Sequence, residues 1–380
     1  IKTLIEDNAN TPGSPMQIKW DERTMVLASD FMMPNWGVAA YHKSEYEWGR
    51  WTASVGLRLA FERSSIDYRS YVNTGLTLYR QQGPMLIPIK QIPVNLDLAD
   101  RLHMTSLQLL PEVKLSYSFN RSTAVGIVVS KGYKAGGYNT QMFSDILQQS
   151  LMGMMGGEQK YDVDEIISYD PEKSWSYELN ATTSLFDNTL DVDATLFFID
   201  TRDQQMTMFP EGTTTGRVMA NAGRTHSKGV EIAATWRPDR HFTVNASYGH
   251  ADARFRRFNN GLVDCKGNHV PYAPINTLFA AVTYSTDINT QWLKGVEVNA
   301  NCRGIGQIYW DEENTVKQPF YALAGLSVNL RTPVADVELW GENITKTKYS
   351  TFYFESIGNR FVQRGNPRRF GVTFRFDFAM

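Results

Sequence analysis

The chain has 380 residues, a formal net charge of −2, 42% hydrophobic residues and a mean hydropathy of −0.35. It holds no run of about 18 consecutive apolar residues, which excludes helical membrane spans but not strands that turn only every second residue to lipid. Its basic residues are scattered, which speaks against a nucleic-acid groove, and its two cysteines, Cys265 and Cys302, are too few for a disulfide scaffold and fit no metal site.

From Ile1 onward there is no basic-then-apolar signal segment, as expected for a mature or truncated product. Residues 1–35 read as a polar lead-in with one weak strand at RTMVLASDFM, and residues 36–380 as barrel. RWTASVGLRLAF then alternates, with Trp51, Ala53, Val55, Leu57, Leu59 and Phe61 on one face and Arg58 on the other. PEVKLSYSF sets Val113, Leu115, Tyr117 and Phe119 against Lys114. SWSYELNATTSLF and NTLDVDATLFF follow the same rule, with Glu178, Asp191 and Asp193 on the polar side. GVEIAATW, HFTVNASYGH and KGVEVNANC continue it, Glu231 and Glu297 being polar-side residues. The last strand, GVTFRFDF, sets Val372, Phe374, Phe376 and Phe378 against Thr373, Arg375 and Asp377. Each segment is roughly ten residues long, the length a tilted strand needs to cross a bilayer.

The connections alternate in length. SFNRS, LFDNT, WRPDRH and LRTPVAD are brief turns built from Asn, Asp, Pro and Ser. Long polar loops are expected at about 67–109, 132–173, 203–224, 255–275, 305–318 and 344–367. The pattern predicts an all-β, transmembrane antiparallel β-barrel with short periplasmic turns and long extracellular loops. A periplasmic C-terminus sets Trp51, Phe119, Trp236 and Phe378 at the inner interface, and Trp175, Phe198, Tyr248 and Trp340 toward the outer one. The apolar residues of the last strand then face lipid, while Lys114, Glu178, Asp191, Asp193, Glu231, Glu297 and Arg375 face the lumen.

SKGYKAGGYN (130–139), YDPEKSWSYELN (169–180), NAGRTHSKGVEIAATWRP (221–238), HVPYAPINTLFAAVTY (269–284), WGENITKTKY (340–349) and the closing RRFGVTFRFDF occur in an order and spacing that resemble the barrel of TonB-dependent outer-membrane receptors. The resemblance runs from about Trp36 to Phe378. It implies a 22-stranded barrel filled by a plug. About 13 clear strands are legible here, about 14 with the weak one, so the plug, its TonB-binding segment and the first strands are absent from the sequence. The chain is therefore expected to be the C-terminal part of a longer polypeptide in a Gram-negative outer membrane, since open edges are not viable in lipid.

The resemblance further implies import of a scarce nutrient. A ferric siderophore is the first expectation and cobalamin or haem the alternatives. The TonB complex would act through the plug, and neither a cofactor nor enzymatic chemistry is implied. A passive porin or structural barrel is the reading from another class, and a soluble all-β binding module is a third. Candidate ligand groups in the loops are Tyr133, Lys134, Tyr138, Arg202, Arg254, Arg256, Arg257, Tyr309, Trp310, Tyr353 and Arg360. Aromatic faces with Arg suit an anionic iron chelate, although Arg also suits lipopolysaccharide phosphates. DILQQSLMGMMGG (145–157) has helical apolar spacing; it either packs over the barrel mouth or docks a surface lipoprotein. A disulfide between Cys265 and Cys302 is chemically allowed outside the cytoplasm.

Overall fold

The structure is a computed structural model, and it describes residues 10, 15–22, 25–154, 166–208, 218–288, 290–356 and 359–376. Three strands, β1 (Met16–Trp20), β2 (Ala28–Met32) and β3 (Asn35–Trp48), lie end to end along β4 (Trp51–Gln82). Next come β5 (Met85–Ser118) and β6 (Thr123–Lys134). A short pair, β7 (Gly137–Tyr138) and β8 (Ser168–Tyr169), brackets helix α1 (Phe143–Met154). The sheet resumes with β9 (Glu172–Leu185), β10 (Leu190–Met208), β11 (Val218–Trp236), β12 (Phe242–Arg257), β13 (Asn276–Asp287) and β14 (Gly295–Gly306). A loop pair, β15 (Ile308–Tyr309) and β16 (Lys317–Gln318), precedes β17 (Tyr321–Arg331) and β18 (Asp336–Glu342). A second loop pair, β19 (Ser350–Ser356) and β20 (Asn359–Arg364), precedes β21 (Arg369–Arg375).

The main sheet of fifteen described strands is antiparallel and runs in chain order; with three of them end to end, it is thirteen positions wide. RTMVLASDFM is not a separate barrel strand. Its residues Ala28–Met32 continue the first position by pairing with Asp67–Tyr71 of β4. Short hairpins close the inner side. In the LFDNT turn Asp187 and Asn188 take left-handed backbone (φ 54° and 64°), which these residue types tolerate best after glycine.

Cross-strand register tests the two-face reading directly, because opposed residues share a face. Lys114 opposes Val128, Val128 opposes Glu178, and Glu178 opposes Phe197. Asp191, Asp193 and Thr195 share the face of Phe197, and Thr195 opposes Glu231. Glu297 opposes Asn329, Asn329 opposes Glu338, and Glu338 opposes Thr373, whose face Arg375 shares. All seven charged residues stand on one side of the sheet. Val372 and Phe374 stand on the other, and Phe378 lies outside the described residues. Arg237 binds Asp191 at 2.7 Å and Arg375 binds Glu338 at 2.6 Å, so polar-face charges are partly matched across strands.

The faces exchange character along β4 and β5. From Trp51 to Phe61 the odd residues are apolar and the even ones small or polar. Above Arg63 the odd face carries Asp67, Arg69 and, from β5, Asp97 and Arg101, joined in two ion pairs, Arg69–Asp97 and Arg101–Asp67. The even face becomes apolar at Ile66, Tyr68, Val72 and Leu76, all buried. No register shift intervenes before Leu78, so the exchange is a property of the sequence and not of a twist in pairing. It marks where lipid ends: outside the bilayer the outer face meets water and the inner face packs on protein. The ten-residue rise from Trp51 to Phe61 spans about 25 Å at a tilt near 40°, the height of an outer-membrane apolar band. Residues 67–109, expected as a long loop, are therefore a continuous β-ribbon standing above the membrane.

Helix α1 occupies the inner face of this ribbon. Ile146 packs with Ile66, Tyr68, Phe143, Ile167 and Val218, and Leu151 packs with Trp20, Val72, Leu76 and Val94. Ile146, Leu147 and Leu151 are fully buried, so this apolar stripe is not a free dock for a surface lipoprotein. The side chains of Met152 and Met154, and Met155 itself, lie outside the described residues.

Aromatic belts form at both interfaces. Trp51 meets Trp48 and Tyr117 at the inner rim (6.4 and 4.8 Å between rings), and Phe198 meets Tyr177 at the outer one (6.2 Å). Tyr248 opposes Ile232, four residues above the inner rim and short of the outer belt, and Trp340 does not belong to that belt either. It opposes Ser327 and Gly371 on the polar face, lies over Gly371, and donates its indole N–H to Thr373 Oγ1 at 3.1 Å. The allowed disulfide does not form. Both thiols are free: Cys265 is buried with Phe255 and Phe258, whereas Cys302 shares the apolar column of Val298 and Ala300. Burial pushes the Cys265 thiol up to about 11.

Candidate ligand-binding site

The loops after β12, β14 and β18 fold onto one another on the extracellular side. Asn260 Oδ1 accepts the backbone N–H groups of Leu262 and Val263, which fixes the first loop over Phe255 and Phe258. Asp311 accepts the N–H groups of Thr315 and Val316 at 2.9 Å each, and Asn314 bonds both ways with the His269 backbone. The second loop is thereby tied to the first. Ile308, Trp310 and Tyr353 form a buried cluster that anchors the third.

These loops enclose a cavity of ≈ 490 Å³. Its aromatic frame is Tyr272, Trp310, Tyr353 and Phe354. Tyr272 meets Trp310 edge-on at 5.5 Å and donates its hydroxyl to the Tyr353 carbonyl at 2.8 Å. The charged lining is acidic: Asp311, Glu312, Glu313 and Glu355, with no Lys or Arg among the lining residues. Glu355 accepts the Tyr353 hydroxyl and the Arg360 Nε–H at 3.0 Å. The bond to Glu355, followed by partial desolvation, raises the Tyr353 phenol above its usual range.

Four sequence-predicted groups, Tyr309, Trp310, Tyr353 and Arg360, therefore meet at or beside this cavity. Tyr309 points to its flank and stacks on His269 at 5.0 Å. Burial first, then the Arg254 charge, depresses the His269 pKa. The neutral ring is thus the folded form. Its contribution to stability is complete above the unfolded value near 6.5 and is lost as pH falls through the lower folded value. Hydrogen-exchange protection of residues 266–272, corrected for the intrinsic pH dependence of exchange, is expected to fall as the pH is lowered below the unfolded value, and His269→Gln should remove that dependence.

The other candidates are placed elsewhere. Tyr133 donates to Glu62 at 2.5 Å and Tyr138 to the Ser64 carbonyl at 3.2 Å, at the foot of α1. Lys134 opposes Glu172. Arg202, Arg254 and Arg256 lie on the outward side of β10 and β12. The Arg-lined anion site expected from composition does not form around the cavity. Sequence reasoning missed Tyr272 and the carboxylates. The DEEN run after YW (309–314) was the available signal, but only the folded loops show that it lines a cavity.

The TonB dependent receptor-like β-barrel family matches residues 24–344. The chain belongs to that family. It therefore resides in the outer membrane, which its strands and not helices cross. The pesticin receptor of Yersinia enterocolitica is 25% identical over 277 residues, covering 71% of this chain and 36% of the receptor. The crystal structure of the ferric yersiniabactin uptake receptor of Yersinia pestis superposes with a TM-score of 0.58 at 18% identity, covering 97% of this chain and 56% of that one. The ferric preacinetobactin receptor of Acinetobacter baumannii gives 0.56 at 14% identity, covering 92% and 55%. These two structures support the fold. The chain spans about a third of its sequence relatives and just over half of the structural ones.

Proposed function

We propose that this chain forms the larger part of the barrel of a TonB-dependent receptor that captures a ferric chelate at the cell surface and imports it. Family membership supports the transport class, and receptors for iron complexes among the structural neighbours support the substrate class. The single observation that carries the reading is the aromatic cavity lined by three interlocked extracellular loops and the upper end of β10. Pockets that recognise small molecules combine apolar walls with a few fixed polar groups, and this one does. The outer edges of β3 and β21 are unpaired among the described residues, and the relatives are longer. Further strands and a plug carrying the TonB-binding segment complete the proposed receptor. Its work is binding and gating, and no covalent chemistry is assigned to it.

The cavity refines the ligand. Four carboxylates and four aromatic faces favour a chelate that is neutral or carries amine or other cationic groups, and they disfavour a polyanion. Haem fits less well. His226 is bound to Asp200 on the outward face and His250 to Asn276, and the cavity phenols Tyr272 and Tyr353 already donate to the Tyr353 carbonyl and to Glu355, so an axial ligand would have to break one of these bonds. Growth under iron limitation on a panel of siderophores, haem and cobalamin, with the gene deleted and restored, tests the reading. Loss of growth on one or more ferric chelates is expected. Loss on cobalamin alone would contradict the iron reading. With the chelate so found, Glu312→Gln with Glu313→Gln should raise the half-saturating concentration about tenfold, as expected for loss of a charge-assisted contact.

A further inference from the structure

A second charged feature stands on the opposite side of the barrel wall. Asp200 and His226 continue the apolar columns of Leu196–Phe198 and Val230–Ile232, so they point outward, toward the membrane. They lie ten residues above Leu190 and Trp236 at the inner rim, about 25 Å, which is the top of the apolar band. The Asp200 carboxylate, only 12% exposed, binds Arg202 Nε and Arg224 Nε at 3.1 Å each and His226 Nε2 at 2.9 Å. These bonds fix both guanidiniums on its outward side. Arg257 opposes Arg224 at a register irregularity that also brings Arg256 to the cleft, and Asp203, with left-handed backbone (φ 53°), bends β10 away above it.

The result is a cleft of ≈ 440 Å³ lined by Arg202, Asp203, Arg224, Arg256, Arg257 and Lys266. Counting Asp200 behind it, five cations face two carboxylates. Arg256, Arg257 and Lys266 have no carboxylate within ion-pair distance among the described residues. The outward charges of the β4–β5 ribbon are balanced instead, Arg69 by Asp97 and Arg101 by Asp67. The excess positive charge is therefore local, and it sits at headgroup height beside lipid. A pre-positioned set of guanidiniums is the chemistry that recognises phosphate.

We propose that this cleft binds a phosphate of the outer-leaflet glycolipid, the lipid A headgroup, and ties the receptor to its surrounding lipid. The site is separate from the extracellular cavity, and it rests on the barrel's orientation and not on the imported ligand. The test titrates the intact receptor, extracted in detergent and freed of lipid, with diphosphoryl lipid A, and bound lipid is counted by native mass spectrometry. Arg256→Gln with Arg257→Gln should weaken binding about tenfold or more while heat-modifiability and chelate uptake stay unchanged. Monophosphoryl lipid A should bind the unaltered receptor more weakly than the diphosphoryl form, a comparison that needs no variant. Equal binding by the double variant and the parent, or by the two lipids, would overturn the proposal. Displacement of lipid A by a large excess of inorganic phosphate would assign the cleft to a soluble anion and overturn the lipid source.

Discussion

Ile232→Arg is expected to block assembly of the barrel, whereas Glu231→Leu, one residue away, is expected to be tolerated. Ile232 lies on the apolar face of β11, four residues from Trp236 at the inner rim and six from His226 at the outer one. A guanidinium so near the middle of the bilayer costs about 2–4 kcal/mol. Glu231 faces the polar side opposite Thr195 and Gly249, where a leucine changes stability by about 0.5 kcal/mol or less. The readout is the heat-modifiable fraction in outer-membrane extracts. Equal loss in both variants would mean that the two faces are wrongly assigned. Phe374→Arg should be milder than Ile232→Arg, because Phe374 opposes Val337 beside the inner turn, where the penalty falls to about 0–1 kcal/mol.

Gly229→Ala should be the second severe change. Gly229 opposes Phe197 on β10 and Ala251 on β12. A Cβ there would overlap the His250 carbonyl oxygen and approach the Phe197 ring to 2.6 Å. The carbonyl belongs to the neighbouring backbone and cannot rotate away, so a cost of about 3 kcal/mol, the upper end for overpacking, is expected. Trimming the ring in a Gly229→Ala, Phe197→Ala double variant should not restore assembly. Gly371→Ala provides the contrast. The three atoms nearest its Cβ would all belong to the Trp340 indole, so Trp340→Ala should rescue it. Rescue of both glycine variants by their aromatic partners would show that the Gly229 contact with backbone is not limiting.

The membrane-crossing part of the fold was legible because lipid imposes period two with a fixed sign. Leu190 to Phe198 and Trp51 to Phe61 could each be placed on a face from sequence. Above Phe61 the alternation persists with its sign reversed, so a search for strands with apolar residues toward lipid stops there and mistakes the ribbon for a loop. Trp340 was misplaced because aromatic identity suggested an interface, while parity with Leu339 and Val337 puts it on the polar face. The arginines split from the aromatics for a similar reason. Parity carries Arg202 outward with Asp200, and the bend at Asp203 turns the following residues inward, so Met206 and Met208 join the packing around Phe255. Residues as distant as Tyr272, Trp310 and Tyr353 meet through loop packing that has no periodic signature in the sequence.

Uptake of radiolabelled ferric chelate into whole cells tests the central claim most directly. Cells carrying the intact receptor should accumulate iron from the chelate identified by the growth panel. Accumulation should stop, with surface binding retained, when TonB is deleted or the proton gradient is collapsed. Iron entry at an unchanged rate without TonB would contradict the account and describe a passive pore.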